Sequence, residues 1–551
     1  MKKQIFFAIA LISSAFLVKA QDDMPVVWEA RMDHKIQHTG TGTEERGYSY
    51  SASDKEITVF ENATGKVKWT KKFKEIAPKL GKIDELIPAW ESNLIFLFDR
   101  KMGKDQIACV DMETGAFLWN TDKYQDVTED NAVYIAEEQA FAISLKAQLV
   151  LIKARTGEEL WSTSKFKGVV GKYIYTNDRH LVCVNFVPSA LGALFSGFKN
   201  QIAKINLKNG DIVWENTYIG RAERKVISRD FLYDLILDGD KVVLMMNGYQ
   251  VYDYKTGSSL WSAAFDYTPD GIASRPANAK KFGVYGAVAD PVRVGNDLYV
   301  LDMSNKRNQF VKKYDANSGK LIWTSPEIKD ARAIPNMYII GDKVVLQIGG
   351  SVEAQAYIYK RTSNPDGSVT ITEEWKIWYP NVKPNGVQAF STTDGKPVWE
   401  SERFRKGITN MIEDGNHVVV CSGKALYKMD VNSGKEIYEV PVAKGGVGNA
   451  ESIQSHNDMI VVVGEKGVST FRKDNGELVA SGKYKTSMPE DRFDNILIMK
   501  TDGADIAAFD LNTCKYLEFK ARKGAVTTLT TDGTYVYVYE NKTVTKVKTA
   551  K

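Results

Sequence analysis

Arg155-Thr156-Gly157-Glu158-Glu159-Leu160-Trp161 decides the fold, because its grammar recurs along the chain: a Thr-Gly, Ser-Gly, Asn-Gly or Asp-Gly turn, then tryptophan four residues after the glycine. The same form appears as ATGKVKW (Gly65, Trp69), ETGAFLW (Gly115, Trp119), KNGDIVW (Gly210, Trp214), KTGSSLW (Gly257, Trp261), NSGKLIW (Gly319, Trp323) and TDGKPVW (Gly395, Trp399). Weaker copies stand at Gly434 with Tyr438, Gly476 with Ala480, and Cys514 with Glu518. Seven of the eleven tryptophans share one slot, so the repeat is structural rather than compositional.

Glycine after a short polar residue supplies the positive φ of a tight hairpin. Asp111, Asp253, Asp315, Asp430 and Asp510 precede the turn position by four residues, where a carboxylate can accept local backbone donors. The residue before tryptophan is usually apolar (Leu118, Leu160, Val213, Leu260, Ile322, Val398), which predicts a strand buried on both faces. Further apolar runs follow polar tips such as Asp238-Gly239-Asp240, Gly341-Asp342 and Asp414-Gly415-Asn416. Each repeat therefore holds about four short strands. Pro397 follows a turn glycine in a strand where a missing donor requires an edge, so this strand is the outermost of its repeat.

Turn glycines 39 to 76 positions apart suit stacked four-stranded sheets. The expected fold is all-β: a β-propeller of four-stranded antiparallel blades, eight or more of them, in one ring or two. Ten turns plus PVVWEA around Trp28 leave that strand as an orphan, expected to close the last blade by pairing with the C-terminal strands between Thr534 and Lys548. On these motifs the chain resembles the PQQ-like, tryptophan-docking β-propeller repeat family, which includes quinoprotein dehydrogenases and BamB-like assembly proteins. The resemblance covers nearly all of residues 21–551. It implies a BamB-like, non-catalytic member: an envelope scaffold binding proteins or peptides, without a cofactor. The alternative it leaves open is a quinoprotein-type dehydrogenase, or a propeller binding a small ligand or glycan.

Residues 1–20 read as a signal peptide cleaved after Ala20: Lys2 and Lys3, an apolar run from Ile5 to Val18, then Val18-Lys19-Ala20. An exported protein, periplasmic or extracellular, with no transmembrane segment in its mature chain, is expected. The 551 residues carry a net charge of +4, and the three charges in residues 1–20 are all lysines, so the body is nearly neutral and suits no nucleic acid partner. A charged fraction of 26% beside 43% hydrophobic residues excludes a disordered chain.

A quinone enzyme would need cations for an anionic ring system, a calcium site and an aspartate base. No vicinal cysteine pair and no Cys-x-x-Cys-His haem site is present. Cys109, Cys183 and Cys421 lie in strand-like runs and read as buried thiols; Cys514 replaces a turn glycine. His34 and His38 have the spacing of two metal ligands on one helix face but no third ligand nearby. No catalytic, cofactor or metal residue is therefore assigned.

Four insertions interrupt the pattern: Lys71 to Trp90, Val187 to Lys199, Ala264 to Pro291 and Arg361 to Pro384. Loops inserted on a rigid scaffold commonly carry binding. In VPSALGALFSGFK, Leu191, Leu194, Phe195 and Phe198 would share one face of a helical turn, a candidate partner contact against the plainer reading of a cap on the chain's own propeller.

Overall fold

The computed structural model describes residues 22–550 except 101–104, 128–130, 146–147, 167–168, 187–199, 220–233, 247, 266–271, 304–307, 364–368, 484–486, 502–504 and 523. Among the described residues are eleven sheets built on four antiparallel strands, here called blades 1 to 11; blade 6 carries a short extra strand, Ile328–Lys329, and blade 10 a fifth, Asp22–Asp23. Blades 1 to 5 span 38–72, 85–121, 132–163, 169–216 and 234–264. Blades 6 to 10 span 292–324, 336–400, 412–441, 450–483 and 487–519. Blade 11 takes three strands from 526–548 and its fourth from Val26–Arg31.

The N-terminal strand runs antiparallel to Thr543–Lys548, with Trp28 opposite Lys546 and Ala30 opposite Val544. Just before it, Asp22–Asp23 adds a parallel fifth strand to blade 10, opposite Leu517 and Glu518. Met24, between the two pairings, is buried in the core that blades 10 and 11 share. One short segment thus fastens the last two blades to each other and to the first.

Neighbouring blades share an apolar core throughout, and the cycle closes where Met32, Phe60, Tyr537, Tyr539 and Val544 pack between blades 11 and 1. The chain is one closed ring, so every turn motif belongs to a separate blade. The first strands of blades 4 and 5, 6 and 7, and 8 and 9 touch each other. Sheets stacked radially converge at the axis, so the first strand of each blade is innermost and the tryptophan strand is the outer edge. Pro397 begins such an outer strand, with its missing donor at the free edge.

The repeat acts between blades. Each motif tryptophan lies on the turn glycine of the next blade: Trp28 on Gly65, Trp69 on Gly115, Trp119 on Gly157, Trp161 on Gly210, Trp214 on Gly257, Trp261 on Gly319, Trp323 on Gly395 and Trp399 on Gly434. Seven of these indoles donate Nε1–H to the carbonyl three residues before that glycine, as Trp161 does to Leu207 (2.8 Å) and Trp214 to Tyr254 (2.9 Å). Trp261 is the exception: its buried Nε1 has no partner among the described residues, and the ring stacks on Tyr249 at 6.2 Å. In blade 9 the slot holds Ala480, and Tyr516 of blade 10 packs in the reverse direction against Gly482.

The turn itself is fixed locally. Asp253 Oδ1 accepts the Thr256 N–H (2.7 Å) and hydroxyl (2.8 Å), and these bonds hold its carboxyl below the usual carboxylate range. Gly257 then turns at φ +71°, and a Cβ there would lie 2.5 Å from the Trp214 ring. Gly257→Ala should therefore destabilise by about 2 to 4 kcal/mol, combining left-handed strain with overpacking. Gly239→Ala, at φ +62° with nothing within 4 Å, should show only the strain, about 1 to 2 kcal/mol. Equal losses in chemical denaturation would show that the indole does not press on the turn.

Two sequence expectations change. The apolar residue before tryptophan is not buried: Leu160, Val213, Leu260, Ile322 and Val398 are 42 to 49% exposed. Each falls at a register shift, so it is the extra residue of a bulge that carries it out of the pleat. A bulge at the outer edge also spoils that edge as a template for pairing with another chain. In blade 10 the bulge is missing. Leu517, rather than Glu518, therefore stands across from Ala508 and is buried.

Candidate functional site

Two of the insertions meet. Ala279–Tyr285, between blades 5 and 6, pairs with Glu353–Ser363, and that strand pairs with Val369–Trp378, giving a three-stranded sheet outside the eleven blades. The second and third strands form a hairpin emerging from the middle of blade 7, whose own strands Lys343–Ser351 and Asn381–Ser391 lengthen toward it. Ala287, Ala333, Val352 and Val382 are buried together at the base of this arm. Gly349 at φ +73° lets the chain pass the Pro384 carbonyl, which a Cβ would approach to 2.0 Å. The arm is thus anchored by apolar packing and close backbone contact.

Where the arm meets the ring, a cleft of about 480 Å³ lies between Tyr285, Ser351, Glu353 and Tyr379 on one side and Asn410, Glu451, Ser452 and Gln454 on the other. The second wall includes the axis-facing strand of blade 9, Ala450–His456. Asn410 holds this wall still, donating Nδ2–H to the Ile453 carbonyl and accepting the Ile453 N–H, both at 2.8 Å. Glu353 accepts hydrogen bonds from Gln355 and from the Tyr379 hydroxyl (3.3 Å). Tyr285, Ile377 and Tyr379 are 39 to 48% exposed, while Phe282 and Trp378 stack behind them with centroids 6.0 Å apart. The cleft thus offers aromatic surface, carboxylates and backbone, with no cation among the described lining residues.

The other sequence candidates lie elsewhere. In the insertion from Lys71 to Trp90, Phe73, Ile76, Ala77 and Leu80 are buried in the core of blades 1 and 2. Leu191, Leu194, Phe195 and Phe198 fall outside the described residues. His34 and His38 share no helix: His38 opens the first strand of blade 1, while His34 is buried with Nε2 3.3 Å from the Ser51 hydroxyl, and burial lowers its pKa. The cysteines are free, those at 109, 183 and 421 buried in three different blades, and burial pushes the Cys421 thiol up to about 12.

The described residues do not fit a quinone with its calcium. Among the described residues no group of three His, Cys, Asp or Glu side chains could hold a metal ion. Four lysines that might have faced an anion, three of them buried and Lys313 partly so, are engaged by acidic partners instead, three within their own blade and Lys546 across to blade 1. Lys204, Lys313, Lys428 and Lys546 each stand opposite a motif aromatic. They pair with Asp178 (3.0 Å), Asp297 (2.7 Å), Asp414 (2.7 Å) and Glu44 (2.8 Å). The last three also bond a carbonyl of the following blade.

Fold and repeat together define a β-propeller of tryptophan-docked blades bearing an inserted sheet. A family model described as outer membrane protein assembly factor BamB matches residues 17–178, 103–347 and 383–487, and the chain belongs to that family. Among solved structures it is similar to BamB from Moraxella catarrhalis, at 13% identity over 84% of this chain and 100% of that one, with a TM-score of 0.29. It is also similar to the computationally designed Ika8 protein (15% identity, 72% and 100% covered, TM-score 0.33). A eukaryotic initiation factor aligns at 11% identity, with 81% and 98% covered and a TM-score of 0.36. No curated protein matches the chain. Among the described residues no helix is long and apolar enough to cross a membrane.

Proposed function

We propose that this chain is a non-enzymatic scaffold of the cell envelope that binds a protein or peptide segment where the inserted sheet meets the ring. The observation that carries this reading is the sheet itself. Two insertions separated by a whole blade converge on it, although the eleven blades close without it. Its last strand, Val369–Trp378, is a sheet edge among the described residues, and an extended segment could lengthen the sheet there beside Tyr379, while Tyr285, at the opposite edge, lines the cleft from its other end. The carboxylate of Glu353 favours a segment carrying basic or hydrogen-bond-donating groups. Export fits the signal-like residues 1–20, with a mature chain beginning at Gln21. Leu191, Leu194, Phe195 and Phe198 are proposed as a second contact on their sequence spacing alone. BamB-like members give the precedent for a role in outer-membrane protein assembly.

The test is co-purification from envelope extract with the double variant Tyr285→Glu/Tyr379→Glu. Both side chains are about half exposed, so the melting temperature should stay within a few degrees while partner recovery falls at least tenfold. Undiminished recovery would remove the cleft as the binding site. The pair Leu194→Glu/Phe195→Glu, examined in parallel, reports on the second contact.

A further inference from the structure

Blades 2 and 3 do not fill the space between them. A cavity of about 250 Å³ lies inside their shared core, walled by Phe96, Phe98, Trp119, Tyr134, Phe141 and Ile152 among others. Protein interiors close voids of this size, because the lining atoms lose their contacts. Adjoining interfaces do so with dedicated side chains: Phe73, Ile76 and Leu80 enter the core of blades 1 and 2, and Phe166 that of blades 3 and 4. Between blades 2 and 3, Tyr124 and Val127 reach the core and the void persists.

We propose that this cavity is a binding site for a small, uncharged aromatic molecule carrying one polar group. Every lining side chain among the described residues is without formal charge, and a desolvated ion would find no counter-ion among them. The volume exceeds the roughly 150 Å³ at which an apolar cavity stays dry and takes up benzene, and so admits a fused bicycle. The walls form a run of rings: Trp119 to Phe96 at 5.9 Å, Phe96 to Phe141 edge-on at 5.0 Å, and Phe141 to Tyr134 at 5.0 Å. Such rings offer both faces and edges to another aromatic. The Tyr134 hydroxyl makes no hydrogen bond within the described residues and stands at the half-buried inner end, within reach of the Arg46 and Glu91 charges, so the ligand's polar group is placed at that mouth. Lining residues at the two ends, Ile87 and Tyr134 on the inner strands and Trp119 on the outer, are half-buried, whereas Phe98, Ile107, Ile143 and Ile152 between them range from fully to nearly buried. The ligand therefore enters along the seam between blades rather than through a sheet.

Naphthalene and 1-naphthol are suitable probes, titrated against the full chain by calorimetry. One saturable site is expected for each, with 1-naphthol bound more tightly. Ile152→Phe and Ala132→Phe, which place a ring in the cavity, should each weaken both probes at least tenfold without lowering the melting temperature. Tyr134→Phe should weaken 1-naphthol about fivefold and leave naphthalene unchanged. The proposal fails if the wild-type chain shows no saturable binding, or if a filled variant with the wild-type melting temperature binds as the wild type does. It also fails if Tyr134→Phe leaves 1-naphthol unaffected, which keeps it open to refutation should both filled variants misfold.

Discussion

Trp214→Ala should lower the stability of the ring by about 3 to 5 kcal/mol, the range for removing a large aromatic from a packed core. Trp214 is 7% exposed and lies in the core of blades 4 and 5. Its loss also strips the Tyr254 carbonyl of the indole N–H and uncovers the face of Gly257. Trp261→Ala should cost less, because that indole nitrogen has no bond to lose. Denaturant midpoints report both losses. A midpoint unmoved by Trp214→Ala would mean that the repeated tryptophan does not hold neighbouring blades together.

A second large effect is expected at the closure. Deleting Met24 to Met32 removes two buried methionines, the Trp28 indole on Gly65 and the outer strand of blade 11. The loss should be at least that of a single core aromatic, about 5 kcal/mol. Thr543–Lys548 would also become an open edge able to pair with other chains. Scanning calorimetry should show a lower transition, and light scattering should show self-association absent from the parent protein. Trp28→Ala, which keeps the strand, should reproduce part of the thermal loss without the association. A deletion variant that stays monomeric and melts with the parent would refute closure by this strand.

The sequence is most informative where structure is set locally. Asp253, Thr256, Gly257 and Trp261 lie within nine residues, and the hydrogen bonds and positive φ that they impose need no knowledge of the rest of the chain. The repeat therefore marks the blades directly. The bulge is less legible, since Val213 and Leu260 look like core residues until the register shift turns them outward. Blade 10 shows the same limit, because only strand pairing reveals that Leu517 has moved into register where counting from Cys514 points to Glu518.

The candidate site is hardest to read because it is built from distance. Ala279–Tyr285 and Glu353–Ser363 are separated by all of blade 6, and nothing in either stretch names the other as its partner. Each taken alone is an aromatic-rich insertion. Its pairing, and the cleft against Asn410 and Glu451, follows from the ring bringing blades 7 to 9 together. The cavity between blades 2 and 3 is likewise an absence of atoms between apolar strands of ordinary composition, and no pattern of residues signals it.

An electron cryomicroscopy map of the full chain, read down the ring axis, would count the blades and show whether the first and last of them meet. One closed ring of eleven blades is expected, with the strand bearing Trp28 outermost in the blade built from residues 526–548. Two separate rings, or a ring whose first and last blades do not touch, would contradict it.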